Sequence, residues 1–303
     1  MPLKPAHIRV PASTSNLGAG FDCLGLALNR YLEVSFEPRP GGLRIERAGT
    51  LAGLDLPLSE DVIVKPFVSR LRSQGVEPSG VLRASSDIPV GRGLGSSAAA
   101  IVAGLALAAT VRNLDFNRDA EFIVATELEG HPDNAAPAVY GGLVGVARED
   151  GTPRAFPLEL SDRIAFAWAS PPVEISTRSA REALPKHLPF ATAVEAVSRV
   201  AALVRGLATG SPRLLRIGFE DALHVPYRLP LIPRATEAIA AAKAAGAWAV
   251  TISGSGSGLL AVCSPGRAEE IAAAMAAAFG PDQDGIVAFA AQPDPSGACG
   301  LPA

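Results

Sequence analysis

Cysteine is scarce in this chain, and its placement excludes several kinds of site. The three residues, Cys23, Cys263 and Cys299, lie far apart, and none belongs to a C-x-x-C pair. A disulfide framework needs an even set of paired cysteines, and a structural zinc site needs cysteines at short spacings. We therefore expect neither, and the pattern is typical of a protein from the reducing cytosol.

Aromatic residues and positive charge are also in short supply. Aromatics make up 5% of the 303 residues, and the formal net charge is -3 with an isoelectric point of about 5.9. Such a chain has neither the positive field that attracts nucleic acids and anionic membranes nor an aromatic surface on which bases stack. We expect no nucleic-acid partner and no membrane partner.

Long hydrophobic runs are lacking as well. The longest uncharged stretch, residues 93–111, has 19 residues, and its first third is a glycine loop. Because a membrane helix needs about 20 consecutive apolar residues, a buried helix is the better interpretation. The first residues, 1–13, have no apolar core of the signal-peptide type.

Predicted helices and strands alternate irregularly along the chain, which indicates an α+β fold. A turn sequence at residues 150–153 marks a slight change in composition. We therefore predict a first domain at residues 1–152 and a second at residues 153–303. The end of the chain, residues 292–303, is expected to be frayed.

The most informative segment is the glycine-rich loop PVGRGLGSSAAAIV, residues 89–102, between a predicted strand and a predicted helix. Glycines let backbone N–H groups converge, and a helix N-terminus carries about half a positive charge, so the loop suits an anion. Ser96 and Ser97 can cap the helix, and a hydroxyl there can contact a phosphate or Mg²⁺. The residues alone favour a phosphate site but leave a plain tight turn open.

Two familiar nucleotide motifs do not fit this loop. A P-loop requires a lysine next to a serine or threonine, and the segment contains no lysine. The dinucleotide fingerprint G-x-G-x-x-G, started at Gly91, meets Ser96 where its third glycine belongs. A second glycine cluster, residues 254–258, is followed by a strand pattern, so on its own it predicts a hairpin turn.

Taken together, segments in the right order resemble the GHMP kinases and, within that family, the homoserine kinases. The glycine loop resembles the family's nucleotide loop and is the most specific of them. The others are VPASTSNLGAGFDCLGLAL (residues 10–28), EGHPDNAAPAVYGGLV (129–144), EISTRSAREALP (174–185), HVPYRLPLIP (224–233) and TISGSGSGLLAV (251–262). The resemblance therefore covers essentially the whole chain before residue 265.

The resemblance implies a two-domain kinase fold and two substrates. The N-terminal domain would be like domain 2 of ribosomal protein S5 and the C-terminal domain ferredoxin-like, with the substrates meeting in the cleft between them. With Mg²⁺, the enzyme would transfer the γ-phosphoryl group of ATP to the side-chain hydroxyl of L-homoserine, which makes O-phospho-L-homoserine for threonine biosynthesis. The resemblance leaves the oligomeric state open, a homodimer included.

By the same resemblance the glycine loop would bind the ATP phosphates. Its residues are Pro89, Gly91, Arg92, Gly93, Leu94, Gly95, Ser96, Ser97, Ala98 and Ala99. Ser97 and one glutamate would hold Mg²⁺. Glu127 and Glu129 lie two residues apart, so on a helix they face different directions and only one can face the metal. The motif leans towards Glu129 and leaves Glu127 open.

Seven further residues would bind or orient the substrate: Asn16, Asp22, His131, Asn134, Thr177, Arg181 and Arg228. Asp22 would bind the ammonium, and Arg181 with Arg228 would bind the carboxylate, for which forked donors are best suited. Asn134 would lie at the reacting hydroxyl and, with Thr177 and Arg181, would form the catalytic set. From the residues alone, Asn16 is as readily a turn residue, Asp22 a helix cap and the arginines surface charges.

One departure from the family pattern leaves alternatives open. The third glycine motif usually reads Gly-Ser-Gly-Pro-Thr, and here Ser257 and Gly258 stand in the last two places. A non-catalytic, ligand-binding relative is therefore one alternative. A mevalonate-type kinase is another; since mevalonate has a carboxylate but no ammonium, Asp22 would then be dispensable. A dehydrogenase is the least favoured, because the third glycine of its fingerprint is missing.

Overall fold

A computed structural model describes residues 3–280 and 284–302 of the chain. These residues form two β-sheets with helices packed against them. The elements before residue 160 are β1 (Ala6–Ser15), β2 (Leu24–Pro38), β3 (Leu43–Gly49), α1 (Val64–Ser73), β4 (Gly80–Ser86), α2 (Ser96–Val111), α3 (Arg118–Glu129), α4 (Pro132–Tyr140), β5 (Leu143–Glu149) and β6 (Thr152–Leu158).

The elements after residue 160 include the strands of a second sheet and one strand, β11, that returns to the first sheet. They are β7 (Ala165–Ser170), α5 (Thr177–Glu182), α6 (Phe190–Thr209), α7 (Pro212–Phe219), α8 (Val225–Arg228), α9 (Ala235–Ala244), β8 (Ala249–Ile252), β9 (Leu259–Cys263), α10 (Ala268–Phe279), β10 (Val287–Ala291) and β11 (Cys299–Leu301), with a short 3-10 turn at Leu229–Leu231. Helices and strands are mixed irregularly in both halves, so the prediction of an α+β fold is confirmed.

Among the described residues, the first sheet has seven strands and is organised around β2. This long strand pairs with β1 over most of its length, with β5 at its N-terminal end and with β4 at its C-terminal end. β3 lies parallel to β4, β6 extends the sheet beyond β5, and β11 lies outside β1. Alternate residues of β2, such as Leu32, Val34 and Phe36, are buried, as the period of two in a half-buried strand requires.

α2 is the central helix of the first half. It carries no charge, is buried almost throughout, and packs against β1, β2, α1 and α3. Gly104 allows the close approach of α1, since a Cβ there would lie 2.4 Å from the carbonyl oxygen of Ile63. The buried-helix interpretation is confirmed. Among the residues described, every helix falls short of the length and apolarity that a membrane crossing demands.

In the part of the chain that the structure describes, the second sheet has four antiparallel strands in the order β10-β7-β9-β8. Both of its faces are covered, and β7 shows this directly. Phe166 and Trp168 of β7 belong to one apolar core, while the alternating Ala167 and Ala169 belong to the core under α9 and α10. The sheet therefore lies between two packed layers.

The predicted domain limit, between residues 152 and 153, does not separate the strands of the first sheet from those of the second. β6 begins at residue 152 and pairs with β5, and β11 returns from the end of the chain to pair with β1. The limits of the two domains stay a prediction, and strand pairing favours one after β6. The expected fraying of the chain end is wrong for the described residues up to 302. Asp294 is 4% exposed there and accepts a hydrogen bond of 2.9 Å from the hydroxyl of Tyr31.

Candidate active site

A cavity of about 270 Å³ lies where elements of both sheets come together. Its walls are the end of β1 with the turn after it, the glycine loop, the corner between α3 and α4, the start of α5, the end of α8 and the turn between β8 and β9. The lining residues are Ser15, Asn16, Asp22, Val90, Gly91, Gly93, Gly95, Ser96, Ser97, Glu129, His131, Asp133, Asn134, Ile175, Ser176, Thr177, Arg181, Arg228, Gly254 and Ser255.

The glycine loop connects β4 to the N-terminus of α2 and requires its glycines. Gly93 and Gly95 have φ angles of 80° and 63°, in the left-handed region that other residues avoid. A Cβ on Gly93 would lie 2.0 Å from the carbonyl oxygen of Ser253, and one on Gly95 would lie 2.1 Å from Oγ of Ser13. Within the described part of the chain, no side chain caps the start of α2. The N–H groups of its first turn are therefore available to an anion.

The second glycine cluster, residues 254–258, packs against the glycine loop on the side of the second sheet. It forms the hairpin turn between β8 and β9, as its sequence predicts on its own. Ser253, just before the cluster, donates a hydrogen bond of 2.7 Å to the carbonyl oxygen of Gly93 and shares one of 2.9 Å with Thr14 of β1. The backbone N–H of Gly258 donates to the carbonyl oxygen of Arg92 at 3.1 Å. These bonds tie the loop to both sheets.

Glu129 is the last residue of α3 and faces the start of α2. Its carboxylate accepts a hydrogen bond of 2.7 Å from the hydroxyl of Ser97, and its side chain is 9% exposed. Burial raises the pKa of Glu129, which the Ser97 hydrogen bond and the nearby His131 partly oppose. Glu127 is exposed and does not line the cavity. The structure thus brings only Glu129 to Ser97.

His131 and Asp133 form a buried pair beside Glu129. Nδ1 of His131 lies 2.7 Å from Oδ1 of Asp133, and Nε2 lies 3.7 Å from Oε1 of Glu129. Burial alone would lower the pKa of His131, but the hydrogen bond and the charge of Asp133 outweigh it and raise that pKa. Burial likewise opposes ionisation of Asp133, and the His131 contact nevertheless lowers the pKa of this carboxyl. Both shifts favour the charged pair.

Asn134 is held in place from β1. Its Oδ1 accepts a hydrogen bond of 2.9 Å from the hydroxyl of Ser13, and its Nδ2 donates one of 3.0 Å to the hydroxyl of Ser15. The amide nitrogen carries a second N–H, which leaves one donor for a ligand. Asn134 is 7% exposed and lines the cavity beside Gly95.

Asn16 and Asp22 are brought together by the turn after β1. Asn16 has a φ of 72°, which fits its interpretation as a turn residue, and its Nδ2 donates to the carbonyl oxygen of Gly254 at 2.8 Å. Its Oδ1 accepts a hydrogen bond of 3.0 Å from the backbone N–H of Asp22. The Asn16 side chain therefore orders the turn and leaves the Asp22 carboxylate in the cavity.

Arg181 of α5 meets that carboxylate with both of its terminal nitrogens. Nη1 and Nη2 lie 3.0 Å and 2.8 Å from the two carboxylate oxygens of Asp22, a bidentate pair that is a little over one-third exposed. Thr177, the first residue of α5, is exposed and lines the cavity as well. The two residues expected to bind opposite ends of the substrate are thus in contact with each other.

Arg228 lies deeper than Arg181. It is 3% exposed, and its Nε donates a hydrogen bond of 3.1 Å to the carbonyl oxygen of Ala180 on α5. Burial lowers the pKa of Arg228, and the positive charge of Arg181 adds to that effect. Both arginines line the same cavity, so they are buried or half-buried side chains rather than surface charges.

Some sequence-predicted residues lie behind the cavity and one lining carboxylate was missed. Five loop residues support the wall without lining it: Pro89, Arg92, Leu94, Ala98 and Ala99. Asp133 is 2% exposed and lines the cavity, and it is not among the site residues that the sequence predicts. A carboxylate two residues after a histidine is too common in turns to have marked this site from sequence.

A larger groove of about 1290 Å³ adjoins the cavity at Ser97. It runs between α1, α2 and α3, and its floor is apolar, with Val68, Ile101, Leu105 and Val124 among the lining residues. An anion held at the start of α2 would therefore have an apolar groove directly beside it.

Family models and related sequences both assign this chain to one protein family. The model described as GHMP kinases N terminal domain matches residues 62–142, and the one described as GHMP kinases C terminal matches residues 201–282. A homoserine kinase of Thermus thermophilus is 41% identical over 278 residues, which is 91% of this chain and 93% of that protein. The homoserine kinase of Moorella thermoacetica is 41% identical over 273 residues, or 90% of this chain and 92% of that one.

Solved structures agree with the sequence comparisons. The crystal structure of homoserine kinase from Cytophaga hutchinsonii superposes with a TM-score of 0.87 at 29% identity and covers 98% of this chain and 97% of that one. The L. major mevalonate kinase, with a TM-score of 0.70 over 94% of this chain and 95% of its own, is only 16% identical and shares the fold alone. The two-domain fold expected from the sequence is therefore confirmed, and this chain belongs to the GHMP kinase family.

Proposed function

We propose that this chain is an ATP-dependent homoserine kinase, which phosphorylates the side-chain hydroxyl of L-homoserine to O-phospho-L-homoserine in threonine biosynthesis. One observation carries the proposal within the family. A carboxylate, Asp22, and two guanidinium groups, Arg181 and Arg228, line one cavity next to the glycine loop. Homoserine is a zwitterion, and one carboxylate that accepts from its ammonium, with two forked cations that donate to its carboxylate, is the set of groups that a zwitterion requires.

The two substrates fill adjoining spaces in this proposal. The ATP phosphates bind the N–H groups at the start of α2, where the glycine loop leaves room for oxygen atoms. The nucleoside extends past Ser97 into the apolar groove. The homoserine hydroxyl lies near Asn134, whose remaining amide hydrogen can orient it. The γ-phosphoryl group and the hydroxyl then meet beside Gly95.

Substrate binding in this site exchanges partners of an existing ion pair. Asp22 and Arg181 neutralise each other across the cavity. An arriving zwitterion offers its ammonium to Asp22 and its carboxylate to Arg181, so each charge keeps a partner of opposite sign throughout.

The donor set beside the loop fits a magnesium ion. Ser97 and Glu129 offer a hydroxyl and a carboxylate at the place where the phosphates would lie, and Mg²⁺ prefers one or two carboxylates plus phosphate oxygens. When bound, the ion supplies positive charge that stabilises the transferring phosphoryl group. Glu127, which is exposed, does not belong to this set.

Catalysis in this proposal is mainly positioning. Phosphoryl transfer passes through a loose transition state. Most of the rate enhancement therefore comes from holding the hydroxyl in line with the phosphoryl group and from stabilising the charge on that group. Asn134 orients the hydroxyl, the Asp22 and arginine set fixes the other end of homoserine, and Thr177 lies at the rim beside them. A cytosolic location and a homodimer stay predictions of the sequence.

A coupled ADP-release assay with homoserine, serine, threonine and mevalonate tests the function. We expect homoserine to be preferred over serine by about tenfold to 200-fold in kcat/KM, the range typical of one methylene group in a fitted site. Mevalonate turnover that survives Asp22→Ala would instead identify a mevalonate-type kinase. ADP release with none of the four, together with tight ATP binding, would favour the non-catalytic relative.

A further inference from the structure

Phe21 lies directly before Asp22 and does not line the cavity, yet its ring contacts the groups that do. The guanidinium carbon of Arg228 lies 5.0 Å from the ring centroid, and that of Arg181 lies 6.0 Å from it. Both distances fall within the range of a cation–π interaction, about 6 Å. The ring of Phe21 therefore makes a cation–π contact with each of the two arginines of the proposed carboxylate site.

The two arginines need such a partner because like charges repel. Arg228 is almost fully buried, and its hydrogen bonds go to the neutral carbonyl oxygens of Ala180 and Gly254. In the part of the chain that the structure describes, no carboxylate oxygen lies within 4 Å of a nitrogen of Arg228, since Asp22 pairs with Arg181 instead. Before substrate arrives, the charge of Arg228 is thus balanced at short range by dipoles and by the ring of Phe21.

The ring itself is fixed by a second aromatic contact. His224 stacks on Phe21 with the ring centroids 4.9 Å apart and the planes inclined by 20°. His224 is fully buried, and its Nε2 lies 3.2 Å from the carbonyl oxygen of Gly18, which requires a proton on that nitrogen. Burial lowers the pKa of His224. A neutral imidazole orients the phenyl ring without adding a third positive charge.

We propose that Phe21 is a positioning residue for the substrate carboxylate. The negative face of its ring offsets the repulsion between Arg181 and Arg228 and holds both guanidinium groups directed towards one carboxylate. The inference rests on the proposed homoserine kinase function and adds to it a residue outside the cavity wall. Phe21 acts only through the arginines, so its effect is confined to recognition of the carboxylate end.

A fluorination series at position 21 tests the inference without changing the shape of the ring. Replacing Phe21 by its monofluoro, trifluoro and pentafluoro analogues progressively removes the negative potential of the ring face. We expect KM for homoserine to rise stepwise to about tenfold, equivalent to about 1.4 kcal/mol, while kcat and KM for ATP stay within about twofold. The same series at Phe36, a buried ring that packs against Phe67, is the control and should leave every constant unchanged.

A ligand without the carboxylate separates this role from a general effect on the site. The inhibition constant of 3-aminopropan-1-ol, which keeps the ammonium and hydroxyl of homoserine, should not change along the series at position 21. A flat KM for homoserine, or an equal rise for both compounds, would overturn the role of Phe21 alone. If the unmodified enzyme fails to phosphorylate homoserine, the proposed function and this inference both fall.

Discussion

At the scale of single residues, Glu129 shows how two neighbours on one helix come to differ. It is nearly buried and accepts a hydrogen bond from Ser97, while Glu127 faces solvent. We expect Glu129→Gln to lower kcat at least about tenfold more than Glu127→Gln, a difference of about 1.4 kcal/mol. Steady-state kinetics with a magnesium titration measures this. Equal and small effects would remove both glutamates from the metal site.

Arg181 offers a second test at this scale. Arg181→Ala removes one half of the carboxylate clamp and leaves Asp22 without its partner, so kcat/KM for homoserine should fall about a hundredfold, or about 2.7 kcal/mol. Arg181→Lys should also fail, because an ammonium cannot make the bidentate contact. ATP affinity should stay unchanged.

Arg178 is the matched control for this prediction. It lies on the same helix, α5, one turn earlier, and is exposed. Arg178→Ala should keep kcat/KM within about threefold of the unmodified enzyme. If Arg181→Ala behaves like this control, the substrate assignment is wrong.

At the scale of elements, the glycine loop depends on backbone conformation and on space together. Gly95→Ala places a methyl group in the left-handed region and 2.1 Å from Oγ of Ser13. We expect ATP affinity to fall about tenfold or more, because either the loop or β1 must move away from the phosphate position. Titration of each variant with ATP provides the measurement.

Gly151 is the control for the loop variant. It lies in the turn between β5 and β6 with a φ of 80°, and a Cβ there meets no atom within 4 Å. Gly151→Ala should therefore reduce stability slightly and leave ATP affinity unchanged. Unchanged ATP binding by Gly95→Ala would contradict the assignment of the loop to phosphate.

The turn between β8 and β9 explains the departure from the family pattern. A Cβ on Gly258 would lie 2.4 Å from Cζ2 of Trp168 and 2.6 Å from the carbonyl oxygen of Arg92. Ser257 is fully buried and hydrogen-bonds to Ser170 and Val173. The present residues therefore fit the space beneath the loop, and a threonine in place of Gly258 does not.

We expect Gly258→Thr to lower the free energy of unfolding by about 1–3 kcal/mol, as overpacking does in other cores. Trp168→Phe removes Cζ2, the nearest atom to the new side chain, and leaves the Arg92 carbonyl oxygen in place, so the same substitution should cost less in that background. A double-mutant cycle by urea denaturation should give a coupling of at least about 0.5 kcal/mol. Simple additivity would show that Trp168 is not the limiting neighbour.

At the scale of the whole molecule, the end of the chain connects the two sheets. After β10 of the second sheet the chain returns to β1 of the first, and Asp294 secures this return. Its carboxylate accepts hydrogen bonds from the hydroxyl of Tyr31 and from the backbone N–H groups of Ser296 and Gly297. The segment therefore contributes to stability although it lies outside the cavity.

Asp294→Ala should lower the free energy of unfolding by about 1–3 kcal/mol, because the buried N–H of Gly297 and two part-buried donors lose their acceptor. Urea denaturation measures the change, and KM values of the folded variant should stay the same. Asp284→Ala is the control, since Asp284 is exposed near the same end of the chain and should change stability by less than about 0.5 kcal/mol. An equally small effect at Asp294 would mean that the return segment adds little.

Sequence alone determined those features that depend on local conformation. The glycines of the phosphate loop, the uncharged helix behind it and the turn at Asn16 each require particular residue types whatever surrounds them. For that reason the loop, the buried helix and the family could be predicted, and all seven predicted substrate residues do line one cavity.

Only the tertiary structure decided the features that depend on packing between distant segments. Arg181 and Asp22 are 159 residues apart and meet only because α5 packs against the turn after β1. Packing between distant segments also places Glu129, and not Glu127, beside Ser97, and it brings the β8–β9 turn under the glycine loop. It likewise places the ring of Phe21 behind both arginines and returns β11 to β1. Contacts of this kind leave no local pattern, because the partner that gives each side chain its role lies elsewhere in the chain.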